Sequence, residues 1–508
     1  MSSQATLDCD LLVVGGGING AGIARDAAGR GLRVILCEQH DLASHTSSAS
    51  TKLIHGGLRY LEHYEFGLVR KALREREVLL RSAPHIMGPL RFVMPHWHEQ
   101  RPAWLIRSGL FLYDHLARRV LLPASESLAL AHHPAGSGLQ SRFGRGFAYS
   151  DGWVDDARLV VLCAMAAAER GAQVLTRHRV ERLAASNGGW EAHVKGPDGN
   201  ALRLTARAAV NAAGPWATRL PGMPLPPGRS LRLVKGSHIV VPRLLSPEYA
   251  YLFQQPDQRV VFAIPYEHDF TLIGTTDVDY EGDPAQVCIE AAEVQYLCDA
   301  VNRFIERRIV PADVVWHYAG VRPLLDDHAA SASATTRDYL LEWQPDAPPL
   351  IHVLGGKLTT FRQLAEDAVD RLASRLDNHV GPWTRRAPLP GGDNLLAEGP
   401  HVRNVLHFDD WIEQQGQRYP WLPPALLHRY ARAYGSRLHT LLTHCASLAD
   451  LGEAVLPGLH VREIEYLRRH EWARSAEDIL WRRSKLGLRL PASAAATLDA
   501  WLEASDNA

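Results

Sequence analysis

Gly15-Gly16-Gly17-Ile18-Asn19-Gly20 carries the spacing Gly-x-Gly-x-x-Gly, and Glu38 stands about twenty residues further on. The chemistry that fits this pattern is the grip of a dinucleotide. Gly15 permits a tight turn, Gly17 lets the backbone approach a pyrophosphate, and Gly20 allows a helix to pack closely on a strand. Exposed amides and the helix dipole then meet the phosphate charge. A carboxylate at position 38 bonds ribose hydroxyls and repels a 2′-phosphate, which disfavours NADP.

That spacing serves NAD and FAD alike. Two later segments favour FAD. Val210-Asn211-Ala212-Ala213-Gly214-Pro215-Trp216 reads as a strand ending in small residues, with Ala213 and Gly214 at the nucleotide side. Gly355-Gly356-Lys357-Leu358-Thr359-Thr360 is a second glycine turn that opens a helix. Such a turn aims a helix N-terminus at the electron-rich N1–O2 edge of a flavin, for which an NAD enzyme has no need. Without a ligand, the same turn is an ordinary capped helix.

These turns need elements to hold them. Asp10–Val14 is an apolar run closed by glycines, hence a buried strand. A helix from Ile18 to about Arg30 follows, stopped by Gly31, and Arg33–Cys37 is the next strand. Phe66 to about Leu80 and Asp156–Arg170 have helical patterns, with Gln173–Thr176 a strand after Gly171. Arg203–Val210, Leu231–Val241, Arg259–Pro265 and Thr271–Gly274 read as strands. The first part alternates α/β and the middle looks antiparallel. Proline and glycine punctuate Arg386–Gly392. Beyond it, Val405–Trp421, Pro424–Tyr434, Ser436–Cys445 and Arg462–Trp472 read as helices, with Gly435 a stop and Ser436 an N-cap.

A chain of 508 residues has length for two to four domains. With 55 Lys plus Arg against 56 Asp plus Glu, the net charge is -1 and no basic field invites nucleic acid. Any anion site must be local. The six cysteines form no C-x-x-C pair or metal cluster, and are expected to be reduced and mostly buried, as in a cytoplasmic protein. Met1–Leu7 lacks a leader pattern. The longest apolar run, about Leu159–Ala168, is too short to span a bilayer.

The chain resembles the aerobic glycerol-3-phosphate dehydrogenase family, within flavoproteins of the glycine and D-amino-acid oxidase type. The matching segments are Val13–Gly31, Thr46–Glu65, Tyr149–Leu159, Lys235–Pro242, Gly274–Asp277, Gly320–Pro323 and Gly355–Phe361, and the run Thr46–Leu61 is the most specific. The resemblance implies a Rossmann-like FAD-binding domain, an antiparallel-sheet cap domain for substrate, and a C-terminal α-helical domain. Their expected bounds are 1–80, 145–230 and 315–386 for the first, 81–144 and 231–314 for the second, and 387–508 for the third. It implies oxidation of sn-glycerol 3-phosphate to dihydroxyacetone phosphate, non-covalent FAD, ubiquinone as acceptor, a homodimer, and peripheral attachment to the inner face of the cytoplasmic membrane. An oxidase using oxygen, or a related FAD-dependent oxidase of another small substrate, is the alternative; an NAD enzyme or a flavin-binding scaffold are the more distant ones.

A phosphate dianion bearing a secondary alcohol needs fixed cations and a base for the hydroxyl proton. By the resemblance, Arg59, Tyr60, Arg322 and Lys357 form the substrate set; arginine suits the phosphate because its planar fork grips two oxygens. His55, His238 and Lys357 are the candidate bases, the last if its pKa is depressed. Thr46, Ser47, Ser48, Ser50 and Lys52 are expected to line the FAD pyrophosphate and isoalloxazine. Trp104–Leu122, flanked by Arg101, Arg107, Arg118 and Arg119, is either an interfacial amphipathic segment or a helix packed in the cap, the latter slightly favoured.

Overall fold

The computed structural model describes residues 6–97, 100–246, 248–257, 259–326, 337–345, 347–393, 395 and 405–506. Residues 1–5, part of the stretch read as lacking a leader, lie outside them.

Strand β1 (Thr6–Val14), helix α1 (Ile18–Gly29) and strand β2 (Val34–Glu38) form the unit that the glycines announced. β1 is four residues longer at its start than its apolar run suggested, because it also pairs with Ala201–Asn211. The first sheet runs Tyr339–Trp343, Leu350–Gly355, Ala201–Asn211, β1, β2, Gln173–Thr176, with a hairpin of Arg179–Ser186 and Gly189–Lys195 joined to Ala201–Asn211. The inner pairings are parallel. Helix α1 packs between the Asp156–Ala168 and Phe361–Ala373 helices, and their apolar faces form one core with the sheet. The Leu159–Ala168 run is thus a buried core helix.

The second sheet is antiparallel except where Tyr249–Gln254 meets Met87–His96. It also contains Leu53–Ile54, Arg145–Val154 and Trp316–Leu325. The sequence expectation placed those three segments with the nucleotide half. Alternation of apolar residues reports that a strand has a buried face, not which sheet it joins, so the pairing had to come from the structure.

The Ala103–His115 helix reconciles two readings of its segment. Leu110, Tyr113 and Asp114 pack into the cap, while Trp104 is 70% exposed and Phe111 58%. Leu105, Leu112, Tyr64 and Phe66 are exposed as well. No helix among the described residues is long and apolar enough to cross a membrane.

The C-terminal region has its own core, from Leu395 to Leu502, whereas Leu389 still belongs to the first core. Its helices include Phe408–Arg418, Pro424–Tyr434, Val461–Glu471 and Ala494–Asp506, with a small hairpin at Ala454–Leu456 and Leu459–His460. Ser436–Cys445 is not one helix. Gly435–Arg437 is a 3-10 turn and only Leu438–Leu441 is α-helical. The Ser436 hydroxyl donates to Asp393 at 2.9 Å rather than capping. Four cysteines are buried, Cys445 is half-buried and Cys288 exposed.

Candidate functional site

A cavity of about 810 Å³ opens at the carboxyl ends of the parallel strands and extends under the second sheet. At one end lies the glycine turn. Gly15 has φ +112, and a Cβ there would sit 2.4 Å from the Ala212 carbonyl oxygen. A Cβ on Gly20 would lie 1.9 Å from the Gly15 oxygen. Only glycine lets α1 start this close to β1 and to the Ala212–Ala213 strand end. Gly17 and Ile18 line the cavity at the start of α1, where amides without intrahelical partners gather. Ser47 Oγ accepts from the Ile18 amide at 3.0 Å, which places the Thr46–Ser48 turn over that helix start.

Glu38 is buried, and burial raises its pKa against the backbone bonds that stabilise its charge. Its oxygens accept from the Gly16 and His40 amides, each at 2.7 Å. Each carboxylate oxygen has two lone pairs, so acceptor capacity remains for a ribose hydroxyl. Gly16 therefore serves by fixing Glu38. Gly20 serves by packing, and neither lines the cavity.

The late glycine turn closes the other side. Gly355 and Gly356 have φ +71 and +99, and Leu358–Thr360 is a 3-10 turn leading into the Phe361–Ala373 helix. Asn19 Nδ2 reaches the Gly355 oxygen at 3.4 Å, so the two glycine turns touch. Ala213, Gly214, Leu358 and Thr359 all line the cavity between them. Both helix starts thus border one cavity, whose glycine-rich, polar lining suits a dinucleotide flavin.

Beyond the turns the cavity is cationic. Arg59, Tyr60, Arg322 and Lys357 share its wall. Lys357 Nζ lies 3.5 Å from the centre of the Tyr60 ring and has no hydrogen-bond partner among the described residues. Burial pushes its pKa down. Arg59 forms no ion pair among the described residues, while Arg322 is held by Asp277 and by Thr275 Oγ1 at 3.0 Å. Sequence reasoning missed Arg337. It lines the same hollow, 3.7 Å from Asp277, and burial followed by the Arg322 charge lowers its pKa. No motif surrounds Arg337, so nothing local signalled it. Asp277 and Thr275 lay inside a matching segment, Gly274–Asp277, without a role being drawn from them.

Other assignments change. His55 lines the cavity, and burial with the Lys357 and Arg76 cations pushes it down to about 3. His238 does not line it. Its ring stacks on Tyr318 with centroids 4.8 Å apart and presses on Gly274, and only Thr51 Oγ1, 3.0 Å from Nε2, links it to the cavity. Lys52 is also behind the wall, paired with Asp156 at 2.8 Å. Attraction to this buried carboxylate turns Lys52 away from the cavity that it was expected to line. Ser48 Oγ donates to the His45 carbonyl and faces a second cavity. Thr46, Ser47 and Ser50 do line the first cavity, although Thr46 Oγ1 donates to the Val321 carbonyl and Ser50 Oγ to Asp156.

The chain is similar to known proteins along nearly its whole length. A family model described as FAD dependent oxidoreductase matches residues 10–371, and one described as C-terminal domain of alpha-glycerophosphate oxidase matches residues 382–505. A glycerol-3-phosphate dehydrogenase of Pseudomonas aeruginosa is 53% identical, over 97% of this chain and 95% of that protein. A D-erythritol 1-phosphate dehydrogenase of Brucella abortus is 48% identical, over 97% and 98%. The solved structure of a glycerol-3-phosphate dehydrogenase from Bacillus halodurans, complexed with FAD, superposes with a TM-score of 0.73 at 29% identity, covering 94% of this chain and 86% of that one. Two glycine turns, a buried Glu38 and near full-length kinship agree: this chain belongs to the FAD-dependent oxidoreductase family, in the branch that holds the glycerol-3-phosphate dehydrogenases, and FAD is its cofactor.

Proposed function

We propose that the chain oxidises sn-glycerol 3-phosphate to dihydroxyacetone phosphate and passes the electrons to ubiquinone. The observation that carries this reading is the cationic hollow of Arg59, Arg322, Arg337 and Lys357, which opens into the same cavity as the two glycine turns. Bound FAD supplies the acceptor for the hydride on the substrate's secondary carbinol carbon.

The residues divide the remaining work. Arginine forks hold the phosphate oxygens and fix the three-carbon chain. Gly15, Gly17, Ile18, Ser47 and Glu38 hold the nucleotide, and Leu358 and Thr359 present the second helix start. Lys357 takes the hydroxyl proton, since its depressed pKa raises the share of neutral amine and its Nζ is free to accept. His55 stays a neutral imidazole that orients the hydroxyl; its pKa of about 3 makes it a weak base.

Leu58, Tyr149, Leu252, Val260 and Phe262 give the cavity an apolar arm beneath the cap sheet. We assign it to the acceptor's ring. The exposed apolar side of the Ala103–His115 helix packs through its other side on the same cluster, so it is the surface we assign to the inner face of the cytoplasmic membrane. A homodimer completes the reading and is tested by sedimentation.

The decisive experiment is anaerobic titration of the FAD-loaded protein with glycerol 3-phosphate, followed by a quinone analogue. Bleaching of the flavin band and its recovery on adding the quinone are expected. No bleaching defeats the substrate assignment, and recovery with oxygen alone defeats the acceptor. The Brucella relative favours a second substrate, D-erythritol 1-phosphate, and the ratio of kcat/KM for the two esters decides between them.

A further inference from the structure

The strand Leu231–Pro242 separates the cationic hollow from a buried ion cluster. Side chains alternate along a strand. Gly236 faces the hollow, where a Cβ would lie 1.9 Å from Arg322 Nη2, so the guanidinium rests on bare backbone. Lys235 and Ser237 face the opposite way and meet the first turn of the Ala291–Asn302 helix.

There, Glu293 collects four bonds. Its Oε2 takes Lys235 Nζ at 2.9 Å and the Glu290 amide at 3.0 Å. Its Oε1 accepts from Ser237 Oγ at 2.9 Å and from Thr276 Oγ1 at 2.7 Å. Thr276 Oγ1 in turn accepts from the Ser237 amide at 3.0 Å. Burial works against the charge of Glu293, yet Lys235 and the other donors outweigh it and hold the carboxyl below its ordinary range. Lys235 is 2% exposed and is gripped also by Glu290 at 2.5 Å.

This arrangement exceeds what a helix start requires, since a capping box uses only one of those bonds, the one from the Glu290 amide. Thr276 is the middle residue of Thr275–Asp277. Thr275 Oγ1, the Thr276 carbonyl and the Asp277 carboxylate all receive the Arg322 guanidinium, the second at 3.2 Å. With Arg322 read as a phosphate anchor, as proposed above, we propose that Glu293 is a positioning residue for it. Glu293 holds the Thr275–Asp277 turn from behind, and that turn holds the arginine. It never touches substrate.

The test is steady-state kinetics of FAD-loaded Glu293→Gln and Thr276→Val, beside the wild type. Displacing an anchor from outside the site costs between about tenfold and a hundredfold in substrate recognition. KM for glycerol 3-phosphate should rise by at least about tenfold, with kcat changed by no more than about threefold and FAD content unchanged. Thr276→Ser, which keeps the hydroxyl, should restore KM. If Glu293→Gln does not fold, Thr276→Val, which loses one hydroxyl, carries the test. A lower Tm with wild-type KM in the variants overturns the inference and leaves the function intact. A wild type that glycerol 3-phosphate does not reduce overturns both.

Discussion

At the scale of single residues, charge and burial decide which side chains can act. Lys52 and Lys357 lie in loops of similar composition, yet one is neutralised by Asp156 and the other has an unpartnered Nζ in the cavity. Lys357→Met should lower kcat by about 10²–10⁴-fold, the usual contribution of base catalysis. A base must be unprotonated to act, so wild-type kcat should fall as pH drops through the depressed Lys357 pKa. The variant's pH–rate profile should lack that acidic limb, and a profile identical in both proteins removes Lys357 from the role. Arg322→Ala should retain FAD and lose about 2–5 kcal/mol of kcat/KM, the cost of truncating one partner of a hydrogen-bonded charge contact. Unchanged kinetics would refute the phosphate assignment.

At the scale of elements, the glycine turns were legible because their demand is local: positive φ at Gly15, Gly355 and Gly356, and a 1.9 Å approach at Gly20, leave no other residue type. The run from Thr46 to Tyr60 was legible as a site segment, but the aim of each side chain was not. Lys52 depends on Asp156, over a hundred residues away, and His238 on a ring stack with Tyr318. Arg337 was invisible for the same reason, since its neighbours in sequence say nothing of Arg322 and Asp277. Sheet membership of Arg145–Val154 and Trp316–Leu325 likewise rests on partners distant in the chain. The Ala103–His115 helix carries the prediction at this scale. Replacing Trp104 and Phe111 by serine should reduce co-sedimentation with anionic vesicles while leaving activity with a water-soluble acceptor intact. Undiminished binding would place the membrane contact elsewhere.

At the scale of the whole molecule, buried ions tie the nucleotide half to the C-terminal region. Asp41, three residues past Glu38, accepts from Arg482 and Arg483 of the C-terminal region at 2.7 Å each. Arg158, on a core helix of the nucleotide half, meets Glu471 at 2.9 Å. Removing one member of a buried pair costs about 3–5 kcal/mol, because the other charge is left stranded. Glu471→Gln should therefore lower the denaturation midpoint strongly and weaken FAD retention, and a variant with wild-type stability would show that the contact carries little. Hydrogen bonds join the two sheets as well. Leu53–Ile54 and Trp316–Leu325 belong to the cap sheet, yet Thr46 bonds the Val321 carbonyl and the Tyr318 hydroxyl bonds that of Ser50. Those two bonds tether the cap sheet to the Thr46–Ser50 segment, so a rigid staple joining the halves should leave the turnover number where it was, and a loss of turnover would show that the sheets must part for small esters to pass.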